Sequence, residues 1–378
     1  MHTRPTQLGL LHVVNSLDYG GLERVVCDLA IQQRQDGHRV RVFSICDTGG
    51  FRGALEAAGV PVTVGGKRRT LDWGVLRALR RETAVHGIDV IHTHNFVPNY
   101  YAATAMLGAS RRHAIVNSVH NMGARLSNGR LRRLYRLSLR RTAKVAMVGE
   151  QVRGRFVGDG TVDAARAVTV LNGIPVARFA AGARQRDAAR ALLGIPGHGP
   201  VIGSVGRLVD LKNQRLLIDC LPRILASYPQ AHLVLVGEGP LLEPLRAHGA
   251  ALGVAGHVLF PGARDDIPSL LPAMDVFALP SHTEGLSIAL LEACAAQRAV
   301  VASRVGGNPE IIAEGVTGRL FEDNDQHALC TLLLDLLADD AQRERLGAAA
   351  ADWVQAHASV QAMAGRYEQI YAAALQAR

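Results

Sequence analysis

The sequence predicts an α/β protein made of two parallel sheets in series, and three observations lead there. The chain has 378 residues, too many for a single hydrophobic core and suited to two domains of ordinary size. Short apolar runs alternate with amphipathic helical stretches along its whole length, the pattern of strands buried on both faces by crossover helices. A cluster of glycine and proline, Gly194-Ile195-Pro196-Gly197-His198-Gly199-Pro200, interrupts the pattern near the middle and marks a joint.

In the first half, strands are expected at Leu8–Val14, Arg39–Ile45, Val60–Val64, Asp89–Thr93, Ala114–Val119, Lys144–Val148 and Val168–Leu171. Between them, Leu22–Arg34 and Trp73–Val85 place apolar residues at spacings of three and four, the period of a helix with one buried face. The segment Ala180–Pro200 holds a short helix, Asp187–Leu193, and the Gly/Pro joint. The pattern then restarts with Val201–Val205, Leu233–Val236, His257–Phe260, Val276–Leu279, Val300–Ala302 and Arg319–Phe321. From Ala341 the tail reads as helix, anchored by Trp353, Tyr367, Ile370 and Tyr371. The expected domains are residues 1–180 and 181–358, with a last helix, about 359–378, packing back on the first.

Composition narrows the classes. With 48% hydrophobic and 20% charged residues, the chain has the balance of a soluble globular protein. No apolar stretch approaches the roughly 18 residues of a membrane span. The first apolar run carries His12 and lacks a small-residue cleavage site, so it reads as a strand rather than a signal peptide. Five widely spaced cysteines (27, 46, 220, 294, 330) read as buried small hydrophobes in a reducing cytoplasm. The net charge of +9 is concentrated early, with twelve basic residues from Arg111 to Arg155 opposed only by Glu150. There Leu131, Leu134, Tyr135 and Ser138 fall at helical spacing, with Arg132, Arg133, Arg136 and Arg140 on the other face. Arg130–Arg141 is therefore either a surface for anionic lipid, at the inner membrane face, or a solvated arginine face over a core stripe.

In open parallel sheets, ligands bind beyond the carboxyl ends of the strands, and the chemistry-bearing residues collect there. Pro280-Ser281-His282-Thr283-Glu284-Gly285-Leu286-Ser287 follows one strand and opens an apolar helix that contains Glu292. A carboxylate within such a helix is costly unless paired. Glu284 precedes the helix N-terminus, where amides and dipole favour an anion. Eight residues separate the two carboxylates by at most ~12 Å of helix rise, a span able to flank a diphosphate. The alternative is a cap at Glu284 and a salt bridge at Glu292. Arg207 and Lys212, after the strand Val201–Val205, could neutralise a diphosphate, or be ordinary surface cations. In Tyr19-Gly20-Gly21, two glycines let amides approach a phosphate, or simply form a tight turn. His92, His94 with Asn95, and His120 with Asn121 end neighbouring strands. They suit sugar hydroxyls or phosphate better than zinc, because no carboxylate or cysteine completes a ligand set. Asp323-Asn324-Asp325 has the spelling of a metal motif but precedes a helix, where Asp325 reads as an N-cap.

Taken in order, these fragments resemble glycosyltransferase family 4, whose members are retaining, metal-independent enzymes of the GT-B fold. The resemblance runs through the Gly-Gly turn, His94, His120, Asn172-Gly173-Ile174, Gly206-Arg207-Leu208 with Lys212, Val236-Gly237-Glu238-Gly239-Pro240, and Glu284 with Glu292. Pro175 and Leu286 depart from common family residues at the hinge and beside the glutamate. The resemblance implies two Rossmann-like domains facing each other across a cleft, and a nucleoside diphosphate sugar (UDP- or GDP-linked) bound mainly by the second. Arg207 and Lys212 would hold the diphosphate with the amides of Gly20 or Gly21. Glu284, with Gly285, Leu286 and Ser287, would contact the transferred sugar, and Glu292 the ribose. Gly262, Ala263 and Arg264, in the segment Gly262–Asp266, would lie near the base, while His94, Asn95 and His120 would serve the acceptor side. His120, Glu284, Arg207 and Lys212 carry the reaction in this scheme. It implies no cofactor and no metal, with a lipid-linked saccharide acceptor of bacterial exopolysaccharide or lipopolysaccharide assembly. Two other classes stay in view: a sugar-nucleotide epimerase on the same twin fold, and a basic nucleic-acid-binding protein. The second is poorly served by 4% aromatics and the lack of a binding motif.

Overall fold

A computed structural model describes residues 7–18, 20–46, 49–109, 113–120, 128–180, 185–196 and 198–377. Tyr19, Asn121, and parts of the basic block and of the Gly/Pro joint lie outside them. The first sheet contains β1 (Gly9–Val14), β2 (Arg39–Ser44), β3 (Val62–Val64), β4 (Val90–His94), β5 (Ala114–Val119), β6 (Lys144–Met147) and β7 (Ala167–Thr169). Its order is β3-β2-β1-β4-β5-β6-β7, and the strands pair in parallel. The second contains β8 (Val201–Val205), β9 (His232–Val236), β10 (Val258–Leu259), β11 (Val276–Leu279), β12 (Ala299–Ser303) and β13 (Arg319–Phe321). Its order is β10-β9-β8-β11-β12-β13, again parallel. Each expected strand is present, with ends shifted by a residue or two.

Strand order reverses beside β1 and β4 in the first sheet, and beside β8 and β11 in the second. These are the switch points where adjacent loops diverge and leave a crevice at the carboxyl ends. Gly20, Gly21 and His94 follow or end the first pair; Arg207, Lys212 and Glu284 follow the second. The candidate residues thus sit at the two switch points.

The strands are apolar because helices cover both faces. Leu11, Val13, Phe43, Ile91 and Tyr101 belong to one core, and Ile202, Leu217, Leu235, Val276 and Val301 to the core of the second sheet. The chain forms two compact units, Met1–Gly173 with Val360–Arg378, and Ile174–Ser359. The change of unit falls at Gly173/Ile174, ahead of the expected position at residue 180, because Ile174 bridges to Ser359 and Ile174 N donates to Ala358 O at 2.9 Å. The closing helix Val360–Gln376 belongs to the first unit. Four cysteines are buried and Cys46 is half-buried, all as free thiols.

The basic helix spans Gly129–Leu139, capped by Asn128, whose side chain accepts from Arg130 N and Leu131 N. Tyr135 and Ser138 are buried as expected, but Leu134 is 40% exposed and Leu137 57%. The apolar stripe is therefore narrower than its spacing suggests, because the inner positions are taken by Tyr135, Ser138 and Leu139. Two leucines stand among the arginines on the outer face.

Candidate functional site

In the second unit, the loops after β8 and β11 are stitched together. His282 N donates to Leu211 O at 2.9 Å. Lys212 lies in a 3₁₀ turn, Asp210–Lys212, and its Nζ donates to Glu284 Oε1 at 2.6 Å. Ser281 Oγ donates to the same oxygen at 2.6 Å. The Glu284 side chain is 9% exposed and that of Lys212 23%, so this is a mostly desolvated, charge-assisted pair. Arg207 is exposed, and its guanidinium makes no hydrogen bond or ion pair with another described residue; its carbonyl accepts from Gln214 Nε2 at 2.9 Å. A cation–carboxylate pair beside a second exposed cation suits a ligand combining a diphosphate with hydroxyls.

The cap alternative for Glu284 fails. The following helix is Ile288–Ala295, and its N-cap is Ser287, whose side chain accepts from Leu290 N. Glu284 is held instead by Ser281 and Lys212. That helix is also less buried than its apolar composition implies. Ile288, Ala289 and Glu292 are half-buried while Leu290, Leu291 and Ala293 are buried, so Glu292 lies on a partly open face at i+4 from Ile288.

Glycines bring the backbones close. A Cβ at Gly306 would stand 2.0 Å from Glu284 O, and one at Gly237 2.0 Å from Gly206 O. Both have positive φ, 55° and 141°. Gly307 N donates to Gly285 O at 2.7 Å, and Gly237 N to Gly262 O at 2.9 Å. Gly262 itself has φ 77°. Ala263 N reaches Glu238 Oε1 at 3.5 Å, and Arg264 holds Asp266 through two hydrogen bonds of 2.8 and 2.6 Å. Leu286 and Ser287 are buried. Asp325 caps its helix by accepting from Ala328 N at 2.9 Å, and Asp323 bonds His282 Nδ1 at 2.8 Å, so the Asp-x-Asp spelling belongs to a turn.

In the first unit, Gly20 caps the helix Gly21–Gln35 in extended conformation, and both glycines are exposed. The histidines form a chain that the sequence did not reveal. His12 on β1 is buried and bonds His94, Nδ1 to Nε2 at 3.0 Å. His94 Nδ1 continues to His120 Nε2 at 3.2 Å, and His12 Nε2 ends on Gln33 Oε1 at 2.8 Å. His92 turns inward, to Ser118 Oγ at 2.7 Å and Tyr371 OH at 2.7 Å. It therefore serves the core rather than a ligand. Asn95, at φ 65°, uses its Oδ1 to accept from His120 N at 2.9 Å. Burial drives the rings of His12 and His120 down to about 4 and holds His92 and His94 well below the ordinary value. Neutral imidazoles result. Ligand atoms of His12, His92 and His94 lie within 4.8 Å of one another, a spacing that would suit a cation, but the ring nitrogens are already engaged in the bonds just described. The missed signal was the register: with β1 beside β4, His12 stands opposite His92.

Residues 19–178 match the model of glycosyltransferase family 4, and residues 185–353 that of the glycosyl transferases group 1. A GDP-mannose-dependent alpha-(1-6)-phosphatidylinositol monomannoside mannosyltransferase of Mycolicibacterium smegmatis is 35% identical over 269 residues, 67% of this chain and 69% of that protein. The chain belongs to glycosyltransferase family 4. A D-inositol 3-phosphate glycosyltransferase of Corynebacterium efficiens is 30% identical over 293 residues, covering 72% of this glycosyltransferase and 68% of that protein. Among solved structures, HepE of Anabaena in complex with UDP aligns over 97% of this chain and 100% of its own, with TM-score 0.85 and 23% identity. The glycosyltransferase is thus an α/β protein of the GT-B type, with two Rossmann-like domains, and it transfers a sugar from a nucleotide sugar. Among the described residues, no helix is long and apolar enough to cross a membrane.

Proposed function

We propose that this enzyme moves a hexosyl unit, with retention of configuration and without a metal, from a nucleoside diphosphate sugar to a hydroxyl of a membrane-lipid acceptor. GDP-mannose is the first donor to test, since the 35%-identical relative is named for it. That relative's acceptor is named as a phosphatidylinositol monomannoside, which favours a lipid glycoconjugate over the narrower expectation of exopolysaccharide or lipopolysaccharide assembly. The observation that carries the reading is the Lys212–Glu284–Ser281 cluster beside Arg207.

The chemistry follows from charge. The acceptor oxygen bonds to the anomeric carbon on the face that the diphosphate leaves. The carbon–oxygen bond to phosphate breaks, and the acceptor proton passes to a phosphate oxygen. Negative charge grows on the leaving group, where Arg207 and Lys212 supply what a cation would. As Lys212 engages phosphate, Glu284 keeps Ser281 on Oε1 and turns its second carboxylate oxygen to a sugar hydroxyl. Glu292, on its half-open helix face, is assigned the ribose, and Gly262, Ala263 and Arg264 the base. His94, Asn95 and His120 are assigned to the acceptor side.

Release of nucleoside diphosphate from a panel of sugar nucleotides, with a lipid acceptor present, tests this directly. GDP-mannose should turn over, an added chelator should leave the rate unchanged, and the product should keep the donor's anomeric configuration. Conversion of a sugar nucleotide to its epimer without an acceptor would overturn the reading.

The lipid acceptor is supported by the basic helix, where Arg130, Arg132, Arg133 and Arg136 with Asn128 and Gly129 line a recess of about 550 Å³. Exposed Leu134 and Leu137 add apolar contacts on the same helix. Each arginine near an anionic surface contributes about 1 kcal/mol. Neutralising Arg132, Arg133 and Arg136 to Gln should therefore weaken binding to anionic vesicles roughly 100-fold. Equal binding of the variant and the unaltered enzyme would remove the membrane role.

A further inference from the structure

The polarity of the histidine chain is set at its inner end. Gln33 Nε2 donates to Tyr371 OH at 3.2 Å, so its Oε1 faces His12 and can only accept. His12 must therefore carry its proton on Nε2, which leaves Nδ1 as a lone pair. His94 fills that lone pair with its own Nε2–H and exposes Nδ1 to His120. His120 in turn donates through Nε2. Its remaining nitrogen, Nδ1, is buried with no partner at hydrogen-bond geometry, the Asn172 side chain is a polar neighbour of the ring that favours its charged form, and the residue itself is 8% exposed.

We propose that Gln33, His12 and His94 are positioning residues that fix the tautomer of His120, so that Nδ1 offers a lone pair to a hydroxyl of the substrate sugar. This rests on the glycosyl-transfer reading, with His120 against the substrate. Each member is a neutral ring, and the chain ends on an amide that cannot take up a proton, so it orients rather than conducts. The closing helix takes part, because Tyr371 holds the Gln33 amide and bonds His92 Nδ1. A consequence is selectivity: the substrate group facing Nδ1 must donate, so a hydroxyl fits and a carboxylate or a deoxy position does not. The same accounting speaks against a cation in the three-histidine cluster. The lone pairs of His12, His94 and His92 already receive His94, His120 and Tyr371.

Long-range ¹⁵N–¹H spectra of the full-length enzyme, labelled in histidine and assigned with a His120→Gln variant, read the tautomer. His120 should carry its proton on Nε2, and its Nδ1 resonance should move when substrate binds. Gln33→Leu should mix the tautomers and lower kcat about tenfold, the worth of one hydrogen bond, with KM for the donor unchanged. Gln33→Glu, which keeps the acceptor facing His12 but not the donor to Tyr371, should return the proton of His120 to Nε2. A proton on Nδ1 in the unaltered enzyme overturns the proposal. So does a Gln33→Leu variant with unchanged tautomer, or with altered tautomer and full turnover. Failure of the glycosyl-transfer reading would appear separately, as no transfer by the unaltered enzyme.

Discussion

Glu284 takes two hydrogen bonds on one oxygen, from Ser281 and Lys212, and this division of labour decides what a substitution does. Glu284→Gln keeps the size of the side chain and an acceptor for Ser281, but deletes the charge that pairs with Lys212. Lys212 is 23% exposed at its side chain and can turn to water, so the fold should survive with its melting temperature nearly unchanged. Turnover should fall by about 10²–10³, the usual cost of removing one group aimed at a developing charge. Steady-state kinetics with the proposed donor check it, and a near-normal kcat would remove Glu284 from the reaction. Lys212, Glu284 and Arg207 were legible because each follows a recognisable strand. Ser281, three residues from Glu284, lies in the same segment, and only the placement of its hydroxyl shows its part in holding the glutamate. His12 and Gln33 were not legible as partners, because they lie 21 positions apart on a strand and the following helix, and the amide's other contact, Tyr371, lies 338 positions from Gln33.

At the scale of elements, the strands were readable from apolar runs alone, since burial on both faces leaves little else to choose. Helix faces were less so. The helix Ile288–Ala295 has small apolar residues on every side, yet one face is half-open, and composition does not distinguish that from burial. The loop after β12 shows how an element positions a side chain it never touches. Gly306 has φ 55°, and a Cβ there would meet Glu284 O at 2.0 Å, while Gly307 N pins Gly285 O at 2.7 Å. Gly306→Ala adds roughly 1–2 kcal/mol of backbone strain and forces the Glu284 backbone to move. Its loss of turnover should therefore exceed what the lowered stability explains, at temperatures where circular dichroism shows the variant folded. Unchanged kinetics would show that this contact does not position the glutamate.

For the whole molecule, the buried imidazoles make stability depend on pH. In the unfolded chain each ring titrates near 6.5, whereas folded His12 and His120 are held at about 4, and His92 and His94 are well below the ordinary value. In that interval the unfolded chain takes up protons that the folded chain refuses. Stability is therefore full above about pH 7 and falls as pH drops toward 4. A single ring displaced from 6.5 to about 4 costs about 3 kcal/mol at the acid end. Several such rings would exhaust the roughly 5–15 kcal/mol of an ordinary domain. Glu23 and Asp28, whose carboxyls burial pushes upward, work in the opposite sense and recover part of the loss. All four rings belong to the first unit, together with Tyr367 and Tyr371 of the closing helix, while the second unit has a lowered ring at His232. Urea unfolding at pH 7.5, 6 and 5 should show the first unit's transition moving to lower denaturant more steeply than the second's. His12→Asn should lower stability at pH 7.5 yet flatten this dependence by one proton's worth. A slope that His12→Asn leaves unchanged would mean that the rings are not the groups refusing the proton.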